Sequence, residues 1–327
     1  MRLAAPLCYQ AVRMLGLPAI NRRLHDAGLI LCYHNVVASG SRTVGDPGLH
    51  MPRDRFERQI RWLAGHYTVI ELSEFVDRLS AGKSLRAVAA LTFDDGYAGV
   101  FEHAVPVLQA VGVPATVFVV GTAGRRMGFW WDQKTIVQSA NPALRRDRLN
   151  TLRGDESAIV KAAPPDDLPA SHRPADWNAV RTATQSGITI GAHSVTHRSL
   201  PTLSDSELEF EVVTGRTMIE RAIGARVEFF AYPYGLWDYR VRSRVRLAGY
   251  RAGLTLNAGL NRPFADPCSL RRLNVPAHPA YFLPSSIVTI AVRRGEQSNT
   301  PKRYHCADHR RVAQRGSIAS VRGSTRR

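Results

Sequence analysis

Cysteine is scarce in this chain, and the few that occur lie far apart. The 327 residues include four cysteines, Cys8, Cys32, Cys268 and Cys306, and no two of them form a CxxC pair. This spacing argues against a disulfide framework and against a zinc site built from thiolates. It favours the cytosol over an oxidising compartment.

Long hydrophobic stretches are also missing. No run of about 18 apolar residues occurs, so the sequence predicts no transmembrane helix. Pro6, Gln10, Arg13 and Pro18 interrupt the N-terminal region and leave no apolar core of the kind that a signal peptide needs. Between the two prolines we expect a short amphipathic helix that docks on the protein, with a weak membrane anchor as the alternative. These features predict a cytoplasmic or peripherally membrane-associated protein.

Acidic residues are few relative to basic ones. The formal charge is +17, with 44 Lys and Arg against 27 Asp and Glu, a balance that by itself suggests a nucleic-acid or anionic-membrane partner. The segment from Arg293 to Arg327 carries eight of these net charges, and it is poor in large apolar residues. We therefore expect a disordered tail there and no specific nucleic-acid partner. Any membrane-surface contact would be weak and made through the N-terminus or this tail.

What the sequence does contain is a regular alternation of predicted strands and helices. Ser73 is the predicted N-cap of one helix and Asp54 of an earlier one, while Ser204 and Glu207 form a capping-box pattern before a long helix. The order strand, helix, strand, helix favours a parallel sheet with right-handed crossovers. Roughly seven such units predict an α/β fold, a distorted (β/α) barrel of about seven parallel strands. The apolar runs read as strands are LILCYHNVV (29–37), YTVIEL (67–72), VAALTF (88–93), ATVFVV (115–120), ITIGAHS (188–194), EFFAYPYG (228–235), RAGLTL (251–256) and LRRLNVPAH (270–278).

Three segments follow from this organisation. We expect an N-terminal basic, amphipathic segment at residues 1–28, a barrel domain at 29–292 and the basic tail at 293–327. Residues 122–176 break the alternation, because they are aromatic at GFWWD and otherwise polar and proline-rich. We interpret them as an insertion or lid rather than a second domain. The chain is expected to be a monomer.

Three polar motifs fall at the carboxyl ends of predicted strands. They are TFDDG (92–96), HSVTH (193–197) and AYPYG (231–235). In parallel α/β folds this edge of the sheet is where ligands bind. His193 and His197, four residues apart, would share one face of a helical turn and could bind one metal ion, although a solvated turn gives the same pattern. Asp94 or Asp95 would supply a third ligand, and the other carboxylate could then take a proton from metal-bound water.

The combination TFDDG, HSxxH and PYG, with LCYHNVV at the first strand, resembles the polysaccharide deacetylases, the NodB-homology group of carbohydrate esterase family four. The resemblance extends over about residues 29–278. It implies a hydrolase that removes acetyl groups from the N-acetylated sugars of a polysaccharide or glycolipid. It also implies a divalent metal as cofactor, with Zn²⁺ favoured and Co²⁺, Ni²⁺ and Mn²⁺ as alternatives, and an N-acetylated glycan as partner.

The resemblance also assigns roles to residues of the three motifs. It makes Asp94 the general base, and it makes Asp95, His193 and His197 the metal ligands. Tyr234, which follows Pro233 in the PYG turn, would donate its backbone N–H to the oxyanion.

This sequence departs from the family pattern at two places. Many members have an arginine that pairs with the catalytic aspartate where Ala231 stands here. We choose Arg272 over Arg271 as its substitute, with a surface arginine as the alternative. The family's LxH motif is missing, and His278 is the nearest candidate for the general acid, unless it is an ordinary loop histidine.

Two further side chains are candidates for substrate contact. His34 looks like the first-strand histidine of one branch of the family, and it would face the barrel mouth or the core. Trp131, beside Trp130, could stack on a sugar ring or could pin the insertion to the barrel. Ala231 and the missing LxH leave a second function open, a catalytically inactive carbohydrate-binding barrel of the same family.

Overall fold

A computed structural model describes residues 26–122, 128–132 and 168–277. Its main sheet contains eight parallel strands, and seven of them run in the order β10-β1-β5-β6-β7-β8-β9, while β4 pairs with β5. The expected distorted barrel of parallel strands is confirmed. A small second sheet contains β2 and β3. The strands are β1 (Leu29–Tyr33), β2 (Asn35–Val37), β3 (His50–Pro52), β4 (Thr68–Val69), β5 (Val88–Phe93), β6 (Ala115–Val119), β7 (Ile188–Ala192), β8 (Phe229–Ala231), β9 (Ala252–Leu254) and β10 (Leu273–Asn274).

The two ends of the main sheet approach each other. On one side, β10 pairs with β1 through Leu31 and Leu273. On the other side, Leu254 of β9 forms a parallel bridge with Leu270, just before β10. The Thr255 N–H donates to the Leu270 carbonyl at 2.9 Å. The segment from Leu270 to Asn274 therefore closes the barrel, through one bridge to β9 and a two-residue pairing with β1.

Helices cover the outside of the barrel. Two π-helical turns lie among them, at Val100–Ala104 and Phe210–Thr214, and the second joins two helices into one continuous element. Among the described residues, no helix is both long enough and apolar enough to cross a membrane. The helices are α1 (Arg53–His66), α2 (Leu72–Ser80), α3 (Val105–Val111), α4 (Trp177–Gln185), α5 (Asp205–Glu209), α6 (Gly215–Ile223) and α7 (Tyr239–Leu247).

Alternation along the strands divides the core into an outer and an inner part. In β1, Leu31 and Tyr33 belong to the cluster that packs under α1, where the Tyr33 and Phe56 rings meet edge to face at 5.3 Å. Ile30 belongs to the other cluster, with Ala90 and Phe118 of neighbouring strands. Because side chains alternate between the two faces of a strand, Cys32 and Thr92 share the inner side with these residues.

The structure corrects three of the local predictions. The run from Leu29 to Val37 is two strands in different sheets, with His34 between them. Helix α2 begins at Leu72 with Glu71 as its N-cap, so Ser73 lies inside the first turn. Similarly, α1 has Pro52 as its N-cap. In both helices the first helical residue precedes the polar residue that was expected as the cap. No side-chain hydrogen bond caps either start.

Candidate metal and catalytic site

Asp94 and Asp95 are adjacent in sequence but face different partners. Asp94 continues the inward phase of Ala90 and Thr92 along β5. Asp95 then adopts a left-handed backbone with φ of 73°. Both side chains are buried, at 1% and 3% exposure. The kink between them lets one carboxylate meet a cation inside the barrel while the other meets two imidazoles at the mouth, the edge formed by the carboxyl ends of the strands.

Asp94 forms a buried bidentate ion pair with Arg272. Nη1 and Nη2 of Arg272 donate to Oδ1 and Oδ2 of Asp94, each at 2.7 Å. Nε of Arg272 also donates to the Thr255 carbonyl at 2.9 Å, and the guanidinium is fully buried. Burial alone would raise the pKa of Asp94, but Arg272 and His193 outweigh it and hold this pKa well below its usual range. Asp94 is therefore an ionised carboxylate in a fixed orientation.

Asp95, His193 and His197 form a compact cluster at the mouth. Oδ1 of Asp95 lies 3.5 Å from Nε2 of each histidine. The two Nε2 atoms are 3.1 Å apart. In a tetrahedral zinc site with Zn–N of about 2.0–2.1 Å, two nitrogen ligands lie about 3.3–3.4 Å apart. The three atoms therefore have nearly the spacing that one small divalent cation requires.

The protonation of the histidines also fits a cation. Nδ1 of His193 lies 2.8 Å from the Ala231 carbonyl, which can only accept, so Nδ1 carries a proton and Nε2 faces the cluster. Burial would lower the pKa of His193, but Asp94 and Asp95 outweigh burial and raise it. Burial and the neighbouring His193 lower the pKa of His197 to about 3. The cluster thus favours one extra proton on His193, and a cation bound by neutral imidazoles would displace that proton.

The two histidines do not lie on a helical turn, as the sequence suggested. Residues 193–197 form a loop after β7, and both Ser194 and His197 have φ of 63°. Glu211, on the π-helical turn, accepts hydrogen bonds from the N–H groups of Val195 and Thr196 at 2.8 and 2.9 Å. Because these groups are satisfied by a side chain from another element, the loop need not follow a helical path.

Left-handed backbone is concentrated at this site. Among the described residues other than glycine, positive φ occurs at six positions, and four of them are Asp95, Ser194, His197 and Tyr234. Each such conformation is unfavourable by roughly 1–3 kcal/mol and persists only where the surrounding structure enforces it. Each of the three motifs found in the sequence therefore contains at least one residue with a left-handed backbone.

Aromatic rings enclose the cluster. The Trp131 and Tyr234 rings lie 4.4 and 4.6 Å from the His197 ring. Trp131 is buried, and its Nε1–H donates to the Tyr97 hydroxyl at 2.7 Å. Tyr97 in turn donates to Asp132 at 2.9 Å. Of the two interpretations of Trp131, these contacts favour pinning residues 128–132 to the barrel over an open surface for stacking. Pro233, which precedes Tyr234, is also buried.

The other predicted residues lie in different places. His34 is half-buried at the end of β1 and is close enough to help lower the pKa values of Asp94 and Asp95. Arg271 is half-buried, and its carbonyl accepts from Asn261. His278 lies outside the described residues, so its proposed role stays a prediction.

Sequence reasoning missed Glu211 and Thr255. Glu211 is fully buried and bonds to the loop that carries the histidines, while Thr255 provides the carbonyl that holds Arg272. A carboxylate on the apolar side of a long helix is one available signal for Glu211. Nothing in the local sequence marks Thr255, because it acts through its backbone.

Comparisons with known proteins identify the family. The family model described as "Polysaccharide deacetylase" matches residues 81–253, just over half of the chain. YxkH of Bacillus subtilis, named for the same family, is 21% identical over 248 residues, which cover 75% of this chain and 70% of that protein. A 69-residue match at 33% identity to the poly-β-1,6-N-acetyl-D-glucosamine N-deacetylase of Staphylococcus aureus covers 21% of this chain and 24% of that protein.

Two solved structures share the fold over most of the chain. IcaB from Ammonifex degensii gives a TM-score of 0.59 at 22% identity, covering 82% of this chain and 97% of that one. The deacetylase PplD of Streptococcus pyogenes gives 0.58 at 17% identity, covering 81% and 98%. The family match includes both aspartates and both histidines of the site. The chain therefore belongs to the polysaccharide deacetylase family and is a hydrolase of carbon–nitrogen bonds other than peptide bonds.

Proposed function

We propose that this protein is a metal-dependent N-deacetylase that hydrolyses N-acetyl groups of a polysaccharide or glycolipid, with Asp94 as the general base. The observation that carries the proposal is the separation of the two carboxylates. Asp94 is paired with Arg272 at 2.7 Å, while Asp95 lies 3.5 Å from both imidazoles. One carboxylate is thus available for proton transfer and the other for holding a cation.

Asp95, His193 and His197 are the proposed ligands, and Zn²⁺ is the proposed cation, with Co²⁺, Ni²⁺ and Mn²⁺ as alternatives. Two imidazoles and a carboxylate are a ligand set typical of catalytic zinc sites. The bound cation would act as a Lewis acid on the acetyl carbonyl and would lower the pKa of a water molecule. The Ala231 carbonyl fixes the orientation of His193.

Asp94 would accept the proton of the attacking water. Arg272 donates to both carboxylate oxygens and the Cys32 thiol donates to Oδ2, which leaves a lone pair of Oδ1 for that proton. The guanidinium also restricts rotation of the carboxylate, as a base must be held within about 2.6–3.2 Å of the proton it takes. Arg272 thereby performs the positioning that other members obtain from the arginine at the place of Ala231.

The remaining roles concern the oxyanion and the leaving amine. We propose that the backbone N–H of Tyr234 stabilises the oxyanion, since the PYG turn lies against His197. Burial of Pro233 and the left-handed φ of Tyr234 support a fixed turn at this point. His278 remains the proposed general acid for the amine, and His34 is a proposed substrate contact at the mouth.

The substrate class rests on the family and on one relative. The S. aureus protein matched over 69 residues is named as a deacetylase of poly-β-1,6-N-acetyl-D-glucosamine. We propose a polymer or lipid-linked glycan of N-acetylated amino sugars for this chain. The test is acetate release from a panel that includes this polymer and N-acetylglucosamine oligomers of other linkages.

Two variants distinguish the catalytic protein from an inactive binding barrel. Asp94→Asn should keep the metal and lose turnover by about 10²–10⁴-fold, because an amide cannot accept the proton. Asp95→Asn should lose the metal as well as turnover. Metal content by mass spectrometry and acetate release are measured on each. A wild-type protein that binds glycan but releases no acetate in the presence of any of the four metals would be the inactive barrel.

A further inference from the structure

A second group of metal-binding side chains lies beside the Asp95 cluster. Cys32, His34 and Asp94 each offer one ligand atom, and these atoms all lie within 4.8 Å of one another. Cys32 lies near the end of β1, and His34 directly follows that strand in phase with Cys32, so both project toward the barrel interior. Asp94 reaches the same space from the neighbouring strand β5, with which β1 pairs in parallel.

The distance between two of these atoms is close to that in a zinc site. The Cys32 thiol donates a hydrogen bond to Oδ2 of Asp94, with Sγ 3.4 Å from that oxygen. With Zn–S of about 2.3 Å and Zn–O of about 2.0–2.2 Å, sulfur and oxygen ligands of one tetrahedral ion lie about 3.5–3.7 Å apart. The His34 ligand atom lies within 4.8 Å of both, so its imidazole is within reach of the same ion. His34 is also the half-buried member, so a cation can approach from its side.

The ligand chemistry selects the kind of cation. Thiolate, imidazole and carboxylate together favour zinc or cobalt over magnesium, calcium or manganese. Two features keep the affinity low. The Arg272 guanidinium lies 2.7 Å from both Asp94 oxygens and repels a cation. Burial, only partly offset by Arg272, raises the pKa of the Cys32 thiol, so its proton must be displaced.

We propose that Cys32, His34 and Asp94 form a second, weaker zinc site whose occupation inhibits the enzyme. As the ion binds, a Zn–S bond forms with Cys32 and the thiol proton leaves to solvent. A zinc ion on the Asp94 carboxylate would lower its basicity, so that it accepts the proton of the attacking water less readily. The inhibitory effect rests on the proposed function of Asp94 as the general base, whereas the binding itself does not.

Cobalt tests the binding without any need for turnover. Cys8 and Cys306 are replaced by serine in the full chain, which leaves Cys32 and Cys268 as the only thiols. Metal-free protein is titrated with Co²⁺. We expect weak visible bands at the first equivalent and an intense near-ultraviolet thiolate-to-cobalt band only as the second equivalent binds, at least about tenfold more weakly.

Two cysteine variants locate the sulfur ligand. Cys32→Ser should abolish the thiolate band and leave the first equivalent unchanged, with Cys32→Ala as a second variant if the serine protein does not fold. Cys268→Ser is the matched control, since Cys268 is a buried thiol that belongs to no group of metal-binding residues in the described parts of the chain. A thiolate band at the first equivalent, or no such band at two equivalents, would overturn the second site.

Inhibition by excess zinc tests whether occupation of the second site blocks acetate release. The activity of each protein with excess Zn²⁺ is expressed relative to its own activity at one equivalent. We expect Cys32→Ser to need at least about tenfold more zinc for half-inhibition, while Cys268→Ser behaves as wild type and excess Mn²⁺ has no effect. Equal inhibition of Cys32→Ser and wild type would overturn the inhibitory role. If no protein releases acetate but the thiolate band follows this pattern, the proposed function fails and the binding site stands.

Discussion

At the scale of single residues, three polar motifs end three parallel strands, and this placement brings their side chains together at the mouth. Asp94, Asp95, His193 and His197 converge as that placement requires. The loop shape was not predictable. Serine or histidine alone does not predict a left-handed backbone, so the sequence gives no sign of it at Ser194 and His197. The Glu211 carboxylate that stabilises the loop lies 16 residues from Val195. The local spacing of the histidines therefore predicted a helical turn, whereas hydrogen bonds to the distant Glu211 hold the segment as a loop.

The Arg272–Asp94 pair makes a prediction at this scale. Arg272→Lys should lower turnover by about tenfold or more and leave the metal content unchanged. An ammonium group is a point charge that cannot bridge both carboxylate oxygens or orient the base in the same way. Acetate release and metal content are measured on the folded protein.

Arg271→Lys is the matched control, because the neighbouring side chain is half-buried and the Asp94 contacts come from Arg272. Equal and mild effects from both substitutions would mean that the bidentate contact does not matter for turnover.

Elements were predicted well where the apolar runs were long and poorly at their starts. The strands from Val88 to Phe93 and from Ala115 to Val119 appear as expected. The capping box at Ser204 and Glu207 is also present. Ser73 was wrong as a cap, since α2 begins before it. Serine at the start of an apolar pattern has the same appearance in both cases, and only the backbone path decides which position is the cap.

The capping box supports a stability prediction. Ser204→Ala should lower the free energy of unfolding by about 0.5–2 kcal/mol, because the N-cap hydroxyl no longer accepts from the Glu207 N–H. Urea unfolding of the metal-free protein measures the effect. Ser73→Ala, inside the first turn of α2, should change it by less than about 0.5 kcal/mol. Comparable losses from both variants would mean that the cap contributes nothing specific.

The same element makes a pH prediction. Hydrogen bonds from the Ser204 backbone N–H and hydroxyl lower the pKa of Glu207 to about 2 from 4.5. A lowered folded-state pKa stabilises the protein above pH 4.5, and this contribution disappears as the pH falls toward 2. The stability difference between wild type and Ser204→Ala should therefore shrink over that range. A difference that stays constant from pH 5 to about pH 2 would exclude a role for the Glu207 carboxylate.

Glu211, on the π-helical turn, supports the loop that carries both histidines of the metal cluster. Glu211→Gln should weaken metal binding by about 10-fold or more. A neutral amide oxygen accepts the Val195 and Thr196 N–H groups more weakly than a carboxylate oxygen does, and an amide NH2 cannot accept from the Thr196 hydroxyl. Glu209→Gln is the control. Glu209 lies at the end of α5, just before the π-helical turn, and forms a partly exposed ion pair with Arg244 of α7. Metal affinity is measured by competition with a chelating dye. Unchanged affinity in Glu211→Gln would show that the loop holds its shape without this carboxylate.

For the whole molecule, the alternation of elements predicted the barrel but not how it closes. The last strand consists of Leu273–Asn274, much shorter than the predicted run at 270–278, and the bridge between Leu254 and Leu270 joins two predicted strands whose pairing the sequence did not specify. Such short contacts give almost no periodic signal in the sequence. The predicted segments at 1–28, 122–176 and 293–327 remain predictions, because they lie wholly or largely outside the described residues.

Closure by this short segment predicts the outcome of truncation. Removing all residues after Arg293 should leave the melting temperature and acetate release unchanged, since the deleted sequence is poor in large apolar residues and β10 is retained. Ending the chain at Ser269 should prevent folding, because it removes both the Leu270 bridge and β10. A fall of several degrees in the first truncation would mean that the basic tail contributes to the fold.

The left-handed positions at the mouth have a consequence for how this sequence can change over generations. Glycine at position 95 or 197 would relieve backbone strain, roughly 1–3 kcal/mol in each case, while removing a proposed metal ligand. Mutation toward greater stability therefore runs against activity at these two positions. In a lineage no longer selected for deacetylation, drift would replace these residues early and leave a more stable barrel that has lost its chemistry.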